Sequence, residues 1–201
     1  MSKRYEWIVV DFDGTLVDSL EMMYNAYSIF MKSHGLKPTR KEFEKLNGPT
    51  LNEIIFYLKE KHDLKEKRVD LLFQYEEIIR LSYLSNVKLF EGRKELLESL
   101  KNKGYKIGLV TSATKDLVLP FLKKNKINSY FDITICGDNI EYSKPHPEIY
   151  NTFTSKIADP NSVIVLEDSK NGIQSAKEAG LQCFNVTGKT SPEILSMIEK
   201  T

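Results

Sequence analysis

Acidic residues stand at two places in the sequence where an apolar run ends. Asp11 and Asp13 follow the run Trp7–Val10, and Glu167 and Asp168 follow a second apolar run later in the chain. Carboxylates that lie close together repel one another, so this pattern indicates a cation or a reaction that requires them. Mg²⁺ takes oxygen ligands, retains several waters and favours one or two carboxylates together with a phosphate group. These residues therefore predict a Mg²⁺ site that acts on a small phosphorylated molecule.

Other residues supply groups that can bind phosphate. Lys144 offers a fixed positive charge, and the Thr111 hydroxyl together with backbone N–H groups around Gly14 can bind phosphate oxygens. Ser112 is a second hydroxyl, and Thr111 is preferred because it comes first after its apolar run. Acidic residues that can hold a cation, together with groups that can bind phosphate oxygens, predict a site that transfers or hydrolyses a phosphoryl group.

The apolar runs that precede these residues are short, rich in β-branched residues and separated by amphipathic segments of helical length. They predict strands at Trp7–Val10, Ile107–Val110, Ile133–Cys136, Val163–Leu166 and Cys183–Val186. Continuous apolar strands that alternate with helices are typical of a parallel sheet covered on both faces. In such a sheet the ligand site lies at the carboxyl ends of the strands, where the strand order reverses. We therefore expect the polar residues to converge on one edge of the sheet.

Helix signals support this α/β pattern. Ser169 is a candidate N-cap for a helix through Ile173 and Ala176 that ends before Gly180, and Pro147 suits the first turn of another helix. A different pattern fills residues 18–86, which hold no convincing strand. Three stretches of this segment have the apolar spacing of a helix with one buried face. The three faces consist of Met22, Met23, Ala26, Tyr27, Ile29 and Phe30; of Ile54, Ile55 and Leu58; and of Leu71, Leu72, Tyr75, Ile78, Ile79 and Tyr83.

The predicted organisation is a helical domain at 18–86 inserted into an α/β core formed by 1–17 and 87–201, and this core has an ordinary domain size.

The composition limits the partners and the location of the protein. The 29 basic and 28 acidic residues give a formal charge of +1, which does not favour nucleic acid or an anionic membrane as a partner. Two cysteines, Cys136 and Cys183, form no metal motif and fit a reducing cytoplasm. The amino-terminal apolar run is too short for a signal peptide or a membrane span. We expect a cytoplasmic monomer.

The chain resembles the haloacid dehalogenase superfamily over nearly its whole length. The resemblance is carried by DFDGTLVDS at 11–19, VTSA at 110–113, SKPHPEIY at 143–150 and VLEDSKNGIQSAKEAG at 165–180, in this order. The helical segment resembles the small cap that members of this superfamily insert after the first strand. The resemblance implies a Rossmann-like doubly wound parallel sheet with an inserted helical cap domain.

The resemblance also implies a role for each matching residue. Asp11 would be the nucleophile that forms an aspartyl phosphate, and Asp13 would be the general acid and base. Mg²⁺ would be held by Asp11, the backbone carbonyl of Asp13 and Asp168, with Glu167 either a ligand or a neighbour of the ligands. Thr111 and Lys144 would orient the phosphoryl group and offset its charge. Gly14 would let the backbone approach the phosphate closely.

Asp13 favours phosphate esters within the superfamily, because its dehalogenases lack a carboxylate at this place. The predicted function is a Mg²⁺-dependent phosphatase for a small phosphate monoester. A sugar phosphomutase similar to β-phosphoglucomutase is an alternative, but that group has a histidine twelve residues after the nucleophile, where this chain has Met23. Asn47-Gly48-Pro49-Thr50-Leu51 resembles a cap turn of phosphoglycolate phosphatases and related pyrophosphatases, which makes Gly48 a candidate substrate-binding residue. This resemblance favours a phosphatase similar to the phosphoglycolate phosphatases, with a pyrophosphatase as another alternative.

A protein without enzymatic activity is a further alternative. A receiver-like signalling module also accepts phosphate on an aspartate in a doubly wound sheet, and a phosphate-binding protein could share the fold. A receiver, however, has no helical insertion and does not need Asp13 as an acid. A binding protein would be expected to lose one of the acids, and all of them are present.

Overall fold

The structure is a computed structural model that describes residues 5–46 and 49–201. The strands in chain order are β1 (Trp7–Val10), β2 (Val17–Asp18), β3 (Lys88–Leu89), β4 (Lys106–Val110), β5 (Ile133–Ile135), β6 (Val163–Glu167) and β7 (Gln182–Asn185). The α-helices are α1 (Leu20–Ser33), α2 (Arg40–Phe43), α3 (Leu51–His62), α4 (Arg68–Asn86), α5 (Arg93–Asn102), α6 (Lys115–Lys124), α7 (Glu148–Thr154), α8 (Lys170–Glu178) and α9 (Ser191–Glu199).

Within the described ranges, five strands form a parallel sheet in the order β5-β4-β1-β6-β7. The chain runs from β1 outward to β4 and β5 and then returns to the other side of β1, so the strand order reverses between β1 and β6. Val10 is in register with both Leu109 and Leu166, and the carboxyl ends of the three central strands are therefore level. The predicted doubly wound α/β fold is confirmed.

Both faces of the sheet are buried, which explains why the strands are apolar at consecutive positions. Ile8 and Val10 belong to an apolar cluster that includes side chains of α5, α6 and α9, whereas Trp7 and Val9 pack with side chains of α7 and α8. Burying one such side chain contributes about 1.5–3 kcal/mol. Gly108 of β4 leaves room for Phe153, because a Cβ there would lie 2.4 Å from the Phe153 ring.

The strand predictions are right in place, with small differences at the ends. β5 ends at Ile135 rather than Cys136, and β7 begins and ends one residue earlier than predicted. The short antiparallel pair β2–β3 was not predicted, and the expectation of no strand in 18–86 is wrong at Asp18. Two-residue strands are too short to produce a recognisable apolar pattern.

The helix signals are largely confirmed. The Ser169 hydroxyl accepts a hydrogen bond from the Gly172 N–H (2.9 Å) and caps α8. Pro147 is the N-cap of α7 and not a residue of its first turn, since the helix begins at Glu148. Gly180 follows α8 with φ of 76°, a conformation that favours glycine.

Helices α1 to α4 occupy the chain between β2 and β3. Their predicted apolar faces are mostly buried, but Ile29 is 52% exposed, so its place in the core was wrongly predicted. α4 packs against α1 and also contacts α6, which lies beside the sheet. The division into a core and a separate helical domain at 18–86 stays a prediction. Among the described residues, none of the helices has the length and apolar character needed to cross a bilayer.

Candidate active site

The acids of the site lie where β1 and β6 end at one edge of the sheet. Asp11 follows β1, and its backbone N–H donates a hydrogen bond to the Leu166 carbonyl of β6 (3.0 Å). Carboxylate oxygens of Asp11, Glu167 and Asp168 lie within 4.8 Å of one another. The structure therefore brings together acidic residues that are far apart in the sequence.

Lys144 is the basic residue of this cluster. It is buried, and its Nζ donates hydrogen bonds to Asp11 Oδ1 (2.7 Å) and Glu167 Oε1 (2.6 Å). Burial alone lowers the pKa of a lysine, but the charges of Asp11 and Glu167 outweigh burial and raise the pKa of Lys144 well above its ordinary value. Lys144 is therefore a lasting positive charge directly beside Asp11.

Glu167 is fully engaged by protein donors. Its Oε1 accepts hydrogen bonds from Lys144 and from the Tyr150 hydroxyl (3.2 Å). Its Oε2 accepts from the backbone N–H groups of Asp168 (2.9 Å) and Ser169 (3.0 Å) and from the Ser169 hydroxyl (3.1 Å). A Cβ at Gly172 would lie 1.7 Å from Glu167 Oε1, so glycine is needed there. Through these contacts Glu167 holds Lys144 and the loop after β6 in position.

Asp168 is held against the loop that follows β1. Its Oδ1 accepts a hydrogen bond from the Thr15 hydroxyl (3.1 Å). A Cβ at Gly14 would lie 2.2 Å from Asp168 Oδ2, and Gly14 has φ of 80°. Glycine at position 14 therefore lets the first loop approach Asp168, a close contact between two parts of the site that the sequence does not reveal.

Asp13 contacts a residue of α4. The Tyr83 hydroxyl donates a hydrogen bond to Asp13 Oδ1 (2.7 Å), and the Tyr83 ring stacks on Phe12 with centroids 6.0 Å apart. Burial raises the pKa of Asp13, and the hydrogen bond from Tyr83 opposes that shift only in part. Burial and the Asp13 charge raise the pKa of Tyr83 well above its ordinary value, so its hydroxyl remains a donor.

Thr111 and Ser112 follow β4 at the same edge. The Thr111 hydroxyl is buried, accepts a hydrogen bond from the Ala113 N–H (3.0 Å) and can donate its own proton to a phosphate oxygen. The backbone of Ser112 is packed closely by Gly137, where a Cβ would lie 2.2 Å from the Ser112 carbonyl oxygen. Both hydroxyl residues line the same cavity as the acids.

A cavity of about 100 Å³ lies between this edge of the sheet and helices α1 to α4. The predicted site residues that line it are Asp11, Asp13, Thr111, Ser112, Lys144 and Asp168. Glu167 and Gly14 support these residues from behind. Gly48 lies outside the described residues, although Pro49 and Leu51 of the same predicted turn line the cavity.

The charges of the cluster fit a divalent cation. Asp11, Glu167 and Asp168 carry three negative charges when ionised, and Lys144 balances one of them. Burial raises the pKa of Asp11 well above its ordinary value, and the Glu167 charge raises it further. The same two causes, in that order, raise the pKa of Asp168 to about 6. A bound divalent ion would neutralise the remaining two charges, and carboxylate oxygens are suitable ligands for it.

Several residues of the site were missed in the sequence or assigned another place. The sequence pattern assigns Tyr83 to an apolar helix face, and nothing in the spacing indicates that its hydroxyl reaches Asp13. Thr15 and Tyr150 lie within the motifs that carry the resemblance but were not singled out. Arg93 is buried at the start of α5 and donates to the Thr15 carbonyl (2.9 Å) and to the Ser191 hydroxyl (2.8 Å), which ties the first loop to α9.

Comparison with known proteins agrees with this geometry. A family model described as haloacid dehalogenase-like hydrolase matches residues 8–186. A phosphorylated carbohydrates phosphatase of Thermotoga maritima is 30% identical over 178 residues, 88% of this chain and 82% of that protein. The pyrophosphatase PpaX of Bacillus velezensis is 28% identical over 187 residues, 92% of this chain and 84% of that protein.

A solved structure extends the comparison to three dimensions. CbbY of Rhodobacter sphaeroides, crystallised in complex with phosphate, superimposes with a TM-score of 0.77 at 25% identity. The match covers 89% of this chain and 84% of that chain. The similarity in three dimensions therefore extends over most of both chains.

Proposed function

The chain belongs to the haloacid dehalogenase-like hydrolase family, and from this membership we propose that it is a Mg²⁺-dependent phosphatase that hydrolyses a small phosphate monoester through an aspartyl phosphate on Asp11. The observation that carries the proposal is the cluster of Asp11, Glu167 and Asp168 around the Lys144 ammonium group. Asp13 lines the same cavity beside it.

In the first step an oxygen of the Asp11 carboxylate attacks phosphorus, and the bond from phosphorus to the ester oxygen breaks. Asp13 donates its proton to that oxygen, so the leaving group departs as a neutral alcohol. The raised pKa of Asp13 favours the protonated form that this step needs. Tyr83 is a positioning residue here, since its hydroxyl fixes one carboxyl oxygen of Asp13.

In the second step Asp13 takes a proton from water as the water oxygen attacks phosphorus. The bond between phosphorus and the Asp11 oxygen breaks, which releases inorganic phosphate and restores both carboxyl groups. Throughout, Lys144 and the Thr111 hydroxyl offset the charge on the phosphoryl oxygens, which is the main requirement of a loose transition state.

Mg²⁺, when bound, supplies further positive charge to the phosphoryl oxygens. Asp11, Asp168 and the backbone carbonyl of Asp13 would hold it. Glu167 is a less suitable ligand, because protein donors already occupy both of its oxygens. Its role would be to keep Lys144 in place.

Met23 favours hydrolysis over the mutase reaction. It lines the cavity at the place where the resemblance leads us to expect a mutase histidine, and a thioether cannot exchange protons with a sugar hydroxyl. We expect a cytoplasmic monomer with a small phosphorylated metabolite as its substrate and without nucleic-acid or membrane partners.

The proposal is tested by release of p-nitrophenol from p-nitrophenyl phosphate. We expect turnover with Mg²⁺, loss of turnover with EDTA and recovery when Mg²⁺ is restored. Asp11→Asn should abolish turnover because no nucleophile remains. The matched control is Asp18→Asn, which changes an exposed acid of β2 that does not line the cavity and should retain activity. Turnover that is unaffected by EDTA, or an Asp11→Asn variant with most of the original rate, would refute the proposal.

A further inference from the structure

The cavity is divided into a polar side and an apolar side. Among the described residues, the charged side chains that line the cavity all come from the sheet edge, namely Asp11, Asp13, Lys144 and Asp168. The opposite wall comes from the segment between β2 and β3, and its described lining residues are apolar apart from Tyr83. Its lining includes Met23, Phe43, Leu46, Leu51, Ile54 and Ile79. A phosphoryl group bound at the polar side would therefore direct its organic part toward an apolar wall.

Two hydroxyl groups that line the cavity, those of Tyr83 and Ser169, are already engaged. Tyr83 is the one described residue of the helical wall with a hydrogen-bonding side chain, and its hydroxyl donates to Asp13. The Ser169 hydroxyl donates to Glu167 and accepts from the Gly172 N–H. Within residues 5–46 and 49–201, the apolar wall thus offers a leaving group no free hydrogen-bonding side chain.

From this division we propose that the substrate is a phosphate monoester with a compact apolar leaving group, rather than a sugar phosphate, phosphoglycolate or pyrophosphate. The inference rests on the proposed phosphatase function and adds its substrate class. A hydroxyl or carboxylate that enters the apolar side loses its water without gaining a partner. The cavity of about 100 Å³ is also small compared with common ligand sites, which span roughly 300–1,000 Å³.

A second cavity, of about 610 Å³, adjoins the first and shares Leu20, Phe43, Asp168 and Ser169 with it. Its lining includes the basic residues Arg40, Lys45 and Lys170 and the acidic residues Glu44 and Asp168, and Arg40 is ion-paired with Glu21 (2.6 Å). The competing interpretation is that Lys45 and Lys170 hold a second anionic group of a longer substrate, and the experiments below test it.

The experiment compares esters that differ in one property. n-Propyl phosphate and glycerol 3-phosphate have the same carbon chain, as do ethyl phosphate and 2-phosphoglycolate. We expect kcat/KM to be at least tenfold higher for the apolar member of each pair. The hydroxyl groups of glycerol make it a better leaving group than propanol. Without an effect of the apolar wall, glycerol 3-phosphate would therefore react faster than n-propyl phosphate. Equal values, or a preference for the polar member, would overturn the inference.

A variant tests whether the wall causes the preference. Met23→Gln places an amide in the apolar wall at similar volume, and we expect it to reduce the preference for n-propyl phosphate over glycerol 3-phosphate at least threefold. Ile29→Gln is the matched control, because Ile29 lies on the same helix but is exposed, and its preference should be unchanged. An unchanged preference in a folded Met23→Gln variant would contradict the role of the wall.

Binding separates failure of the inference from failure of the proposed function. Calorimetry with the Asp11→Asn variant and Mg²⁺ measures ester binding without turnover, and n-propyl phosphate should bind at least tenfold more tightly than glycerol 3-phosphate. If the wild type hydrolyses no ester, the proposed function fails while this comparison still decides the substrate class. A preference for 2-phosphoglycolate that is lost in a Lys45→Ala, Lys170→Ala double variant would overturn the inference in favour of a second anionic group.

Discussion

At the scale of single residues, Tyr83 links the helical segment to the proposed acid. Tyr83→Phe keeps the ring packing on Phe12 but removes the hydrogen bond to Asp13. We expect kcat/KM for an alkyl phosphate to fall about tenfold, because the leaving alcohol needs a well-positioned proton donor. p-Nitrophenyl phosphate should be affected much less, since its leaving group departs without a proton.

The comparison of two esters makes the Tyr83 prediction specific. A purely structural defect would lower kcat/KM for both esters by the same factor, and that result would contradict the positioning role. Tyr142→Phe is the control, because the Tyr142 side chain is 53% exposed and lies outside the residues that line the cavity.

Gly14 provides a second residue-scale test. In Gly14→Ala the new Cβ would lie 2.2 Å from Asp168 Oδ2, so Asp168 must move. We expect the Mg²⁺ concentration needed for half-maximal activity to rise at least tenfold, measured by titrating Mg²⁺ into the apo enzyme. Gly35→Ala is a close control, since Gly35 has φ of 71° but nothing within 4 Å of its Cβ position.

The Gly35→Ala variant should lose about 1 kcal/mol of stability from backbone strain and keep its Mg²⁺ requirement. An unchanged Mg²⁺ requirement in Gly14→Ala would show that Asp168 does not help to hold the metal ion. The two variants thereby separate the effect of a left-handed backbone from the effect of contact with Asp168.

At the scale of secondary-structure elements, Glu42 joins three helices. Its carboxylate on α2 accepts hydrogen bonds from Tyr27 of α1 (2.6 Å) and from Lys61 and His62 of α3 (both 2.8 Å). Burial raises the pKa of Glu42, but these hydrogen bonds outweigh burial and lower the pKa from its ordinary 4.5 to about 2. The ionised carboxylate therefore stabilises the folded state.

A lowered pKa in the folded state fixes the direction of the pH dependence. The stabilisation by Glu42 is fully present above about pH 4.5 and is lost as the pH falls toward 2. Glu42→Gln should reduce the free energy of unfolding by about 1–3 kcal/mol near neutral pH. In urea unfolding at a series of pH values, the difference from wild type should narrow below pH 4.5. A difference that is constant with pH would contradict this role.

The sequence predicts elements well where a periodic pattern is long enough to be recognised. The parallel strands are continuous apolar runs because both faces of the sheet are buried, and their positions were right to within a residue or two. The pair β2–β3 is too short to leave such a pattern. Ile29 was wrongly placed in the core because helical spacing alone does not determine how wide the buried face of α1 is.

The site was predictable to the extent that it follows the strand ends. Strand topology alone brings Asp11, Thr111 and Asp168 to one edge, since parallel strands end together. The contact of Tyr83 with Asp13 depends on how α4 packs beside the carboxyl ends of the strands, and a single sequence does not determine this packing. The engagement of both oxygens of Glu167 likewise becomes visible only when Lys144 and Tyr150 are placed around it.

At the scale of the whole molecule, stability should depend on the metal ion. Acids buried together destabilise the fold through repulsion, and a cation that binds only the folded state offsets it. At a Mg²⁺ concentration about 100 times its Kd, the gain should be about 2.7 kcal/mol, or a Tm increase of roughly 5–10 °C for a chain of this size.

Thermal unfolding with Mg²⁺ and with EDTA measures this gain. Asp168→Asn should lose most of the Mg²⁺-dependent increase in Tm, whereas Asp63→Asn, at an exposed acid of the helical segment, should keep it. A wild-type Tm that does not respond to Mg²⁺ would contradict binding of the ion by this cluster.

The most direct test of the proposed mechanism identifies the amino acid that carries the phosphoryl group. The enzyme is mixed with substrate and Mg²⁺, quenched in acid during turnover and reduced with borohydride, which converts an aspartyl phosphate to homoserine that mass spectrometry can locate. We predict homoserine at position 11, and none when Asp11→Asn is treated in the same way. A phosphoryl group found on any other residue would contradict Asp11 as the nucleophile.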